Sequence, residues 1–228
     1  LYTKGNRVGQ RYGLEVVGFF HDQMEINNSP VQTFSTVRPG DIKYKDQNGD
    51  NKIDDKDRVL LGNASPSYFG GFYTQFKYKG FALSAEFSYS KDNMAYNAVR
   101  RQLESVSTTN NQSLAVANRW SLEGEVTDIP RAVWNDPVGN DYFSSRWIED
   151  ASYLKMRNVT LSYTFTKKLW NFFRAGTIYV TGENLLTVTK YLGMEPEFSY
   201  SYAENVQGFD NAKLMQPKTV KVGVNLKF

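Results

Sequence analysis

The feature that most constrains this chain is a two-residue alternation that returns in five separate stretches. In Phe81-Ala82-Leu83-Ser84-Ala85-Glu86-Phe87-Ser88-Tyr89-Ser90 the odd positions are apolar or aromatic, and the even positions from Ser84 onward are polar. Successive side chains of a strand point to opposite faces, so this pattern specifies a strand with one greasy and one wet face. Tyr68 to Tyr78 repeats it, with Phe72, Phe76 and Tyr78 opposed to Tyr73, Gln75 and Lys77. From Asn158 to Phe165, residues Val159, Leu161, Tyr163 and Phe165 oppose Asn158, Thr160, Ser162 and Thr164. Ile178 and Val180 oppose Tyr179, Thr181 and Glu183, and Val220, Val222, Val224, Leu226 and Phe228 share one face of the last stretch. Strands are expected over about 67–78, 81–91, 153–165, 175–185 and 217–228.

The connections decide what kind of sheet this is. Lys79-Gly80 and Thr166–Arg174 are short, whereas 1–66, 94–152 and 186–216 are long. Alternating short and long connections mark outer-membrane barrels, with short periplasmic turns and long extracellular loops. A soluble sandwich does not sort its connections this way. Each strand has about the 9–11 residues that a tilted strand needs to cross a bilayer. The expected fold is therefore all-β: a segment of an antiparallel transmembrane β-barrel. Five strands cannot close a barrel, which takes at least about eight. The chain also begins at Leu1 without Met, so it is read as a fragment.

Composition fits one-faced strands: 40% hydrophobic residues but 15% aromatic ones. The absence of cysteine excludes disulfides, thiolate metal sites and cysteine nucleophiles. No apolar run approaches the roughly 20 residues of a membrane helix, which leaves strands as the spanning option. The net charge is +3 with scattered Lys and Arg, which argues against nucleic acid as a partner.

The long segments carry some structure of their own. Region 1–66 is rich in turn residues, with one or two short strands expected around Leu14–Phe20. Region 94–152 holds possible helical patches at Ala95–Ser105 and Ser113–Leu122. The final residues Lys221-Val222-Gly223-Val224-Asn225-Leu226-Lys227-Phe228 place polar, glycine, apolar and aromatic positions (Lys221, Gly223, Leu226, Phe228) in the order of the assembly signal of outer-membrane proteins. The barrel-assembly machinery reads that signal on an open strand edge, a form of β-augmentation. A periplasmic Phe228 would put all three long loops outside the cell. The alternative is an ordinary amphipathic edge strand.

Asp46-Gln47-Asn48-Gly49-Asp50-Asn51-Lys52-Ile53-Asp54-Asp55-Lys56-Asp57 has the ligand spacing of an EF-hand loop. Asp46, Asn48, Asp50, Asp54 and Asp57 would supply side-chain oxygens and Lys52 its carbonyl, giving a structural calcium site at 46–57. Asn51 stands where glycine is usual and Asp57 where glutamate is usual. A solvated acidic turn is the competing reading. The single histidine, His21, has no nucleophile-elbow motif to serve, and no hydrolase constellation is present. Glu195-Pro196-Glu197 reads as a loop with exposed charge. Trp120, Trp134 and Trp147 are candidates to stack on a sugar ring, against the alternative that they pack the 94–152 loop or belong to the outer aromatic girdle.

Four stretches together resemble SusC/RagA-type TonB-dependent transporters. They are Pro39-Gly40-Asp41-Ile42-Lys43-Tyr44-Lys45-Asp46-Gln47-Asn48-Gly49-Asp50, the run from Arg146 to Tyr163, Asn184–Tyr191 followed by Glu195-Pro196-Glu197, and the terminal strand. The resemblance covers nearly the whole chain in family order. It implies the C-terminal strands of a barrel of about 22 strands around a plug, energised by TonB through parts absent from this chain. It also implies a SusD-like lipoprotein capping the barrel, and oligosaccharide or peptide cargo. Competing readings are a siderophore or cobalamin receptor without a lid partner, and a soluble calcium-binding adhesin or glycan-binding β-domain.

Overall fold

The structure is a computed structural model that describes residues 7, 9–165, 174–198 and 207–227. In chain order the strands are β1 (Gln10–Gly13), β2 (Val16–Phe19), β3 (Val31–Gln32), β4 (Ile42–Tyr44), β5 (Lys52–Ile53), β6 (Val59–Asn63), β7 (Tyr68–Tyr78), β8 (Phe81–Lys91), β9 (Met94–Asn97), β10 (Ile148–Asp150), β11 (Tyr153–Phe165), β12 (Ala175–Thr189), β13 (Phe209–Asp210) and β14 (Thr219–Lys227). Two short α-helices, α1 (Gln23–Asn27) and α2 (Ala98–Glu104), lie among them. No helix among the described residues is long and apolar enough to cross a membrane. The chain divides into two compact units, one of Leu1–Ser65, Asn93–Asp150 and Phe198–Lys213, the other of Pro66–Asp92, Ala151–Glu197 and Leu214–Phe228.

The second unit is a five-stranded antiparallel sheet in the order β14-β12-β11-β8-β7. Its register aligns the alternating residues across strands. Phe76 pairs with Leu83, Leu83 with Leu161, Leu161 with Val180 and Val180 with Val222, giving one continuous apolar row. The row beside it on the same face runs Tyr78, Phe81, Tyr163, Ile178, Val224. On the other face Gln75, Ser84, Thr160, Thr181 and Lys221 align. The apolar residues stand open to the surroundings, Phe76, Leu83, Leu161, Val180 and Val222 among them. A sheet whose greasy face has no protein cover and whose other face is polar is built for lipid on one side and water on the other. The outer strands β7 and β14 each pair on one side only among the described residues.

Two local devices shape the sheet. Lys79 and Gly80 both have positive φ (45° and 90°), which matches the right-handed twist of a two-residue hairpin. A Cβ on Gly80 would lie 2.8 Å from the Thr164 carbonyl, so glycine is required there for space as well. In β11 the register shifts between Met156 and Asn158. The extra residue, Arg157, switches the parity. Leu154 and Met156 before it and Val159 and Leu161 after it stay on the apolar face.

The strand expected over 175–185 continues to Thr189. It stays paired with β11 beyond the bulge, through Leu186 opposite Met156 and Thr189 opposite Tyr153. The last strand starts at Thr219, and Phe228, expected to end it, lies outside the described residues, as does most of the connection 166–174.

The first unit gathers most of the first two long connections and residues 198–213 of the third into one body with its own cores. Leu14, Ile42, Tyr44 and Ile53 form one core, packed by Val16, Phe19 and Phe34. Tyr96, Trp147 and Ile148 form another, against Leu61, Met94, Phe143 and Phe209. The second core draws on all three segments, which explains why none of them carries an amphipathic pattern long enough to announce a domain. The expected helical patches are shorter than their sequence suggested. The first is β9 followed by α2, and the second is a 3₁₀ turn at Leu114–Asn118.

Asp41 is the hub of this unit. It is 0% exposed. Its Oδ2 accepts from the Arg38 amide (2.8 Å) and Arg131 Nη2 (2.9 Å), and its Oδ1 accepts from Asn140 Nδ2 (2.9 Å). Arg131 Nε lies 2.7 Å from Oδ1 but is poorly aligned for a hydrogen bond. Gly40, at φ 87°, lets the Trp120 ring lie against the backbone, where a Cβ would come within 2.3 Å of it. The Pro39-Gly40-Asp41 stretch is thus a packing motif.

Candidate functional site

The acidic loop folds around its own amides. Asp46 accepts from the Gly49 amide (2.7 Å) and the Asn51 amide (2.8 Å), Asn48 from Asp50 (2.9 Å) and Asp50 from Lys52 (3.0 Å). Asn51 takes positive φ (62°), the conformation for which glycine is usual at that position. Asp54 caps a 3₁₀ turn through the Lys56 amide, and Asp57 is buried and accepts from Gln47 and Asp54 amides, 2.8 Å each. These bonds leave Lys52 in β5, which pairs in parallel with β3. No cluster of three or more acidic, histidine or cysteine side chains placed to hold a metal occurs among the described residues.

The tryptophans separate by burial. Trp147 is 1% exposed, with the Arg146 guanidinium over its ring at 4.9 Å, and is a core residue. Trp120 packs on Gly40. Trp134 is 69% exposed and alone of the three offers a free ring. His21 is exposed, and its backbone amide donates to Glu25.

On the sheet, the structure brings together charges that the sequence had placed in an exposed loop. Lys155 is 1% exposed and Glu195 2%, and Lys155 Nζ lies 2.9 Å from Glu195 Oε2 and 3.3 Å from Gln216 Oε1. Glu195 also accepts from the Glu197 and Gln216 amides. Arg157, the bulge residue, donates to Ser88 (2.7 Å) and to Glu197. Glu195-Pro196-Glu197 is therefore a clamp that binds its segment to the polar face of the wall. The parity break at Arg157 was the sequence signal of the bulge that aims it there.

In the terminal strand, Lys221 pairs with Glu183 at 2.6 Å. Gly223 sits under the Tyr179 ring, where a Cβ would lie 2.3 Å from the ring tip. Leu226 lies beside Gly176, opposite it in the register, on the apolar face.

Burial shifts several ionisable groups of the first unit. Burial pulls Arg146 down to about 10, helped by nearby Arg100. Burial also raises Asp141 above the usual carboxylate range, although Arg101 forks onto it with bonds of 2.9 and 3.1 Å. Asp136 is raised by burial against the amides of Asn140 and Asp141 that it accepts. Arg101, Gln102, Ser105, Thr108, Asn110 and Asp141 line a polar cavity of about 300 Å³. A second cavity of about 400 Å³ has Leu14, Phe34, Tyr142 and Phe143 as its apolar part and Asp54, Asp55 and Arg58 as its charged part.

No family model matches the chain. Individual relatives do. The TonB-dependent receptor P26 of Formosa agariphila is 30% identical over 223 residues, covering 95% of this chain and 22% of the relative. The TonB-dependent receptor SusC of Bacteroides thetaiotaomicron is 26% identical over 195 residues, covering 84% and 18%. Over nearly its whole length the chain is similar to a segment of TonB-dependent receptors. Solved structures agree on the fold of this receptor segment. The RagAB peptide importer in its open-open state superposes with a TM-score of 0.72 at 21% identity, over 100% of this chain and 24% of that one. The RagAB peptide transporter gives 0.73 at 21% identity, over 96% and 22%. This chain spans about a fifth of the length of the relatives it matches. TonB-dependent receptors are outer-membrane proteins. The relatives that it matches are receptors by name.

Proposed function

We propose that this chain supplies wall strands and outward loops of an outer-membrane importer that draws energy through TonB and works with a SusD-like surface lipoprotein. The sheet carries the reading. An uncovered apolar face, a polar face and two open edges suit a piece of barrel wall between lipid and a watery lumen. The fold shared with the RagAB peptide importer supports peptide as cargo, and oligosaccharide is the other cargo that the sequence resemblance implies. The three long connections face outward in this reading. The terminal strand, with Lys221, Gly223 and Leu226, is presented to the barrel-assembly machinery.

The test is a deletion and complementation of the full-length gene. Growth on the oligosaccharide or peptide mixture should be lost and restored, and the protein should fractionate with the outer membrane. Recovery in the soluble fraction would overturn the reading. Calcium at 46–57 is part of the proposal, as a staple for the outer body. Chelator should lower the melting temperature of the full-length protein, and Asp46→Ala with Asp50→Ala should remove that shift. A shift that survives the double substitution would exclude the loop as its origin.

A further inference from the structure

The 400 Å³ cavity of the first unit lies in the size range of small-ligand sites. Its composition is specific. Phe34 and Tyr142 stand 4.8 Å apart, ring centre to ring centre, and Phe143 adds a third aromatic wall. The charged part holds two carboxylates, Asp54 and Asp55, against one guanidinium, Arg58, so it carries one net negative charge. Arg58 is engaged by Asp55 at 2.9 Å. Asp54 uses Oδ1 to cap the Lys56 amide, and its Oδ2 makes no hydrogen bond among the described residues. Aromatic faces carry negative potential and attract cations, and a nearby carboxylate adds charge and a hydrogen-bond acceptor. Thr33, which also lines the cavity, donates its hydroxyl to the Ile53 carbonyl at 2.8 Å and Arg58 is engaged by Asp55, so the lining favours accepting over donating, whereas the hydroxyls of a neutral polyol need both.

We infer that this cavity binds an organic ammonium group, with the aromatic rings around its carbon stem and Asp54 Oδ2 accepting its N–H. A peptide offers such a group at its N-terminus or at a lysine side chain. The inference deepens the importer reading, on which it rests for the source of its ligand, by assigning a peptide-recognition subsite to the outer body.

The experiment uses the full-length receptor in detergent with chelator present, because Asp54 also belongs to the acidic loop. Calorimetry compares trialanine amide with its N-acetylated form, and N-acetyl-lysine amide with N-acetyl-norleucine amide. Binding of either ammonium probe at least about tenfold tighter than its neutral counterpart is expected, and the arm that binds identifies the source. Asp54→Asn, which keeps a good helix cap, should weaken that binding about tenfold and leave the neutral probe unchanged. Tyr142→Leu should weaken it as well. Equal binding of charged and neutral probes, no effect of Asp54→Asn, or binding of maltose with both ammonium probes silent would overturn the inference. An outer-membrane protein that restores growth yet ignores ammonium probes defeats this subsite alone. Ammonium binding by a protein absent from the outer membrane defeats the importer reading alone.

Discussion

Replacing Asp41 by alanine isolates the energetic role of the Pro39-Gly40-Asp41 stretch. The carboxylate is fully buried and receives three hydrogen bonds. Its removal strands the Arg131 guanidinium, whose side chain is only 20% exposed. Breaking a buried ion pair from one side costs about 3–5 kcal/mol, most of it the penalty on the abandoned partner. At about 1.4 kcal/mol per factor of ten, opening of the unit around Asp41 should become roughly two to four powers of ten more frequent. Hydrogen exchange on the full-length protein reads this directly. The amides of Gly40, Ile42 and Arg131, all held by bonds around this hub, should lose protection by that factor. The amide of Leu161 in the wall should keep its own. Adding Arg131→Met removes the stranded charge, so the double variant should be more protected than Asp41→Ala alone. A loss under about tenfold, or a double variant that is no better, would refute the account of Asp41 as a paired buried charge.

Three further outcomes follow from the same structure. Lys155→Ala should free the segment at Glu195, costing about 3–5 kcal/mol, whereas Lys155→Met with Glu195→Met should come close to wild type; limited proteolysis after Tyr191 reads both. Leu161→Arg, on the uncovered apolar face, should cost about 2–4 kcal/mol and reduce the heat-resistant folded fraction on a gel, whereas Thr160→Arg on the polar face should be tolerated. Asp136 and Asp141 are both held above their ordinary value of 3.8, so between that value and their raised ones the folded state keeps protons that the unfolded chain has released. Their contribution is full below about 3.8 and is lost as pH rises through the raised values. Melting of Asp136→Asn should therefore depend less on pH across that window than wild type, and an unchanged slope would count against the burial argument.

The wall was legible in the sequence because a half-buried strand writes its geometry directly as alternation. Strand β8 runs from Phe81 to Lys91 and β11 from Tyr153 to Phe165, the spans that alternation and turn residues mark out. The continuation of β12 to Thr189 was hidden, because Asn184-Leu185-Leu186 breaks the period at the point where two of its residues lie opposite the Arg157 bulge. The clamp was hidden for another reason. Glutamates beside a proline look solvated until a lysine far away in sequence turns up beneath them. The first unit was least legible. Tyr96 pairs with Ile148 in β10 and with Phe209 in β13, and no local pattern connects those residues. The EF-hand spacing was visible in sequence, but spacing does not say whether the oxygens face an ion or their own amides.

The make-up of the first unit has a consequence for how a chain like this is made. Met94–Asn97 can pair with Ile148–Asp150 as soon as both have been synthesised. The other side of Tyr96 waits for Phe209, and between the two the chain must lay down all of β11 and β12. The first unit therefore cannot finish folding before β11 and β12 exist, because its last piece follows them in the chain. The fragments of the first unit stay unfinished until Phe209 arrives, so its completion marks a chain in which β11 and β12 have already been made.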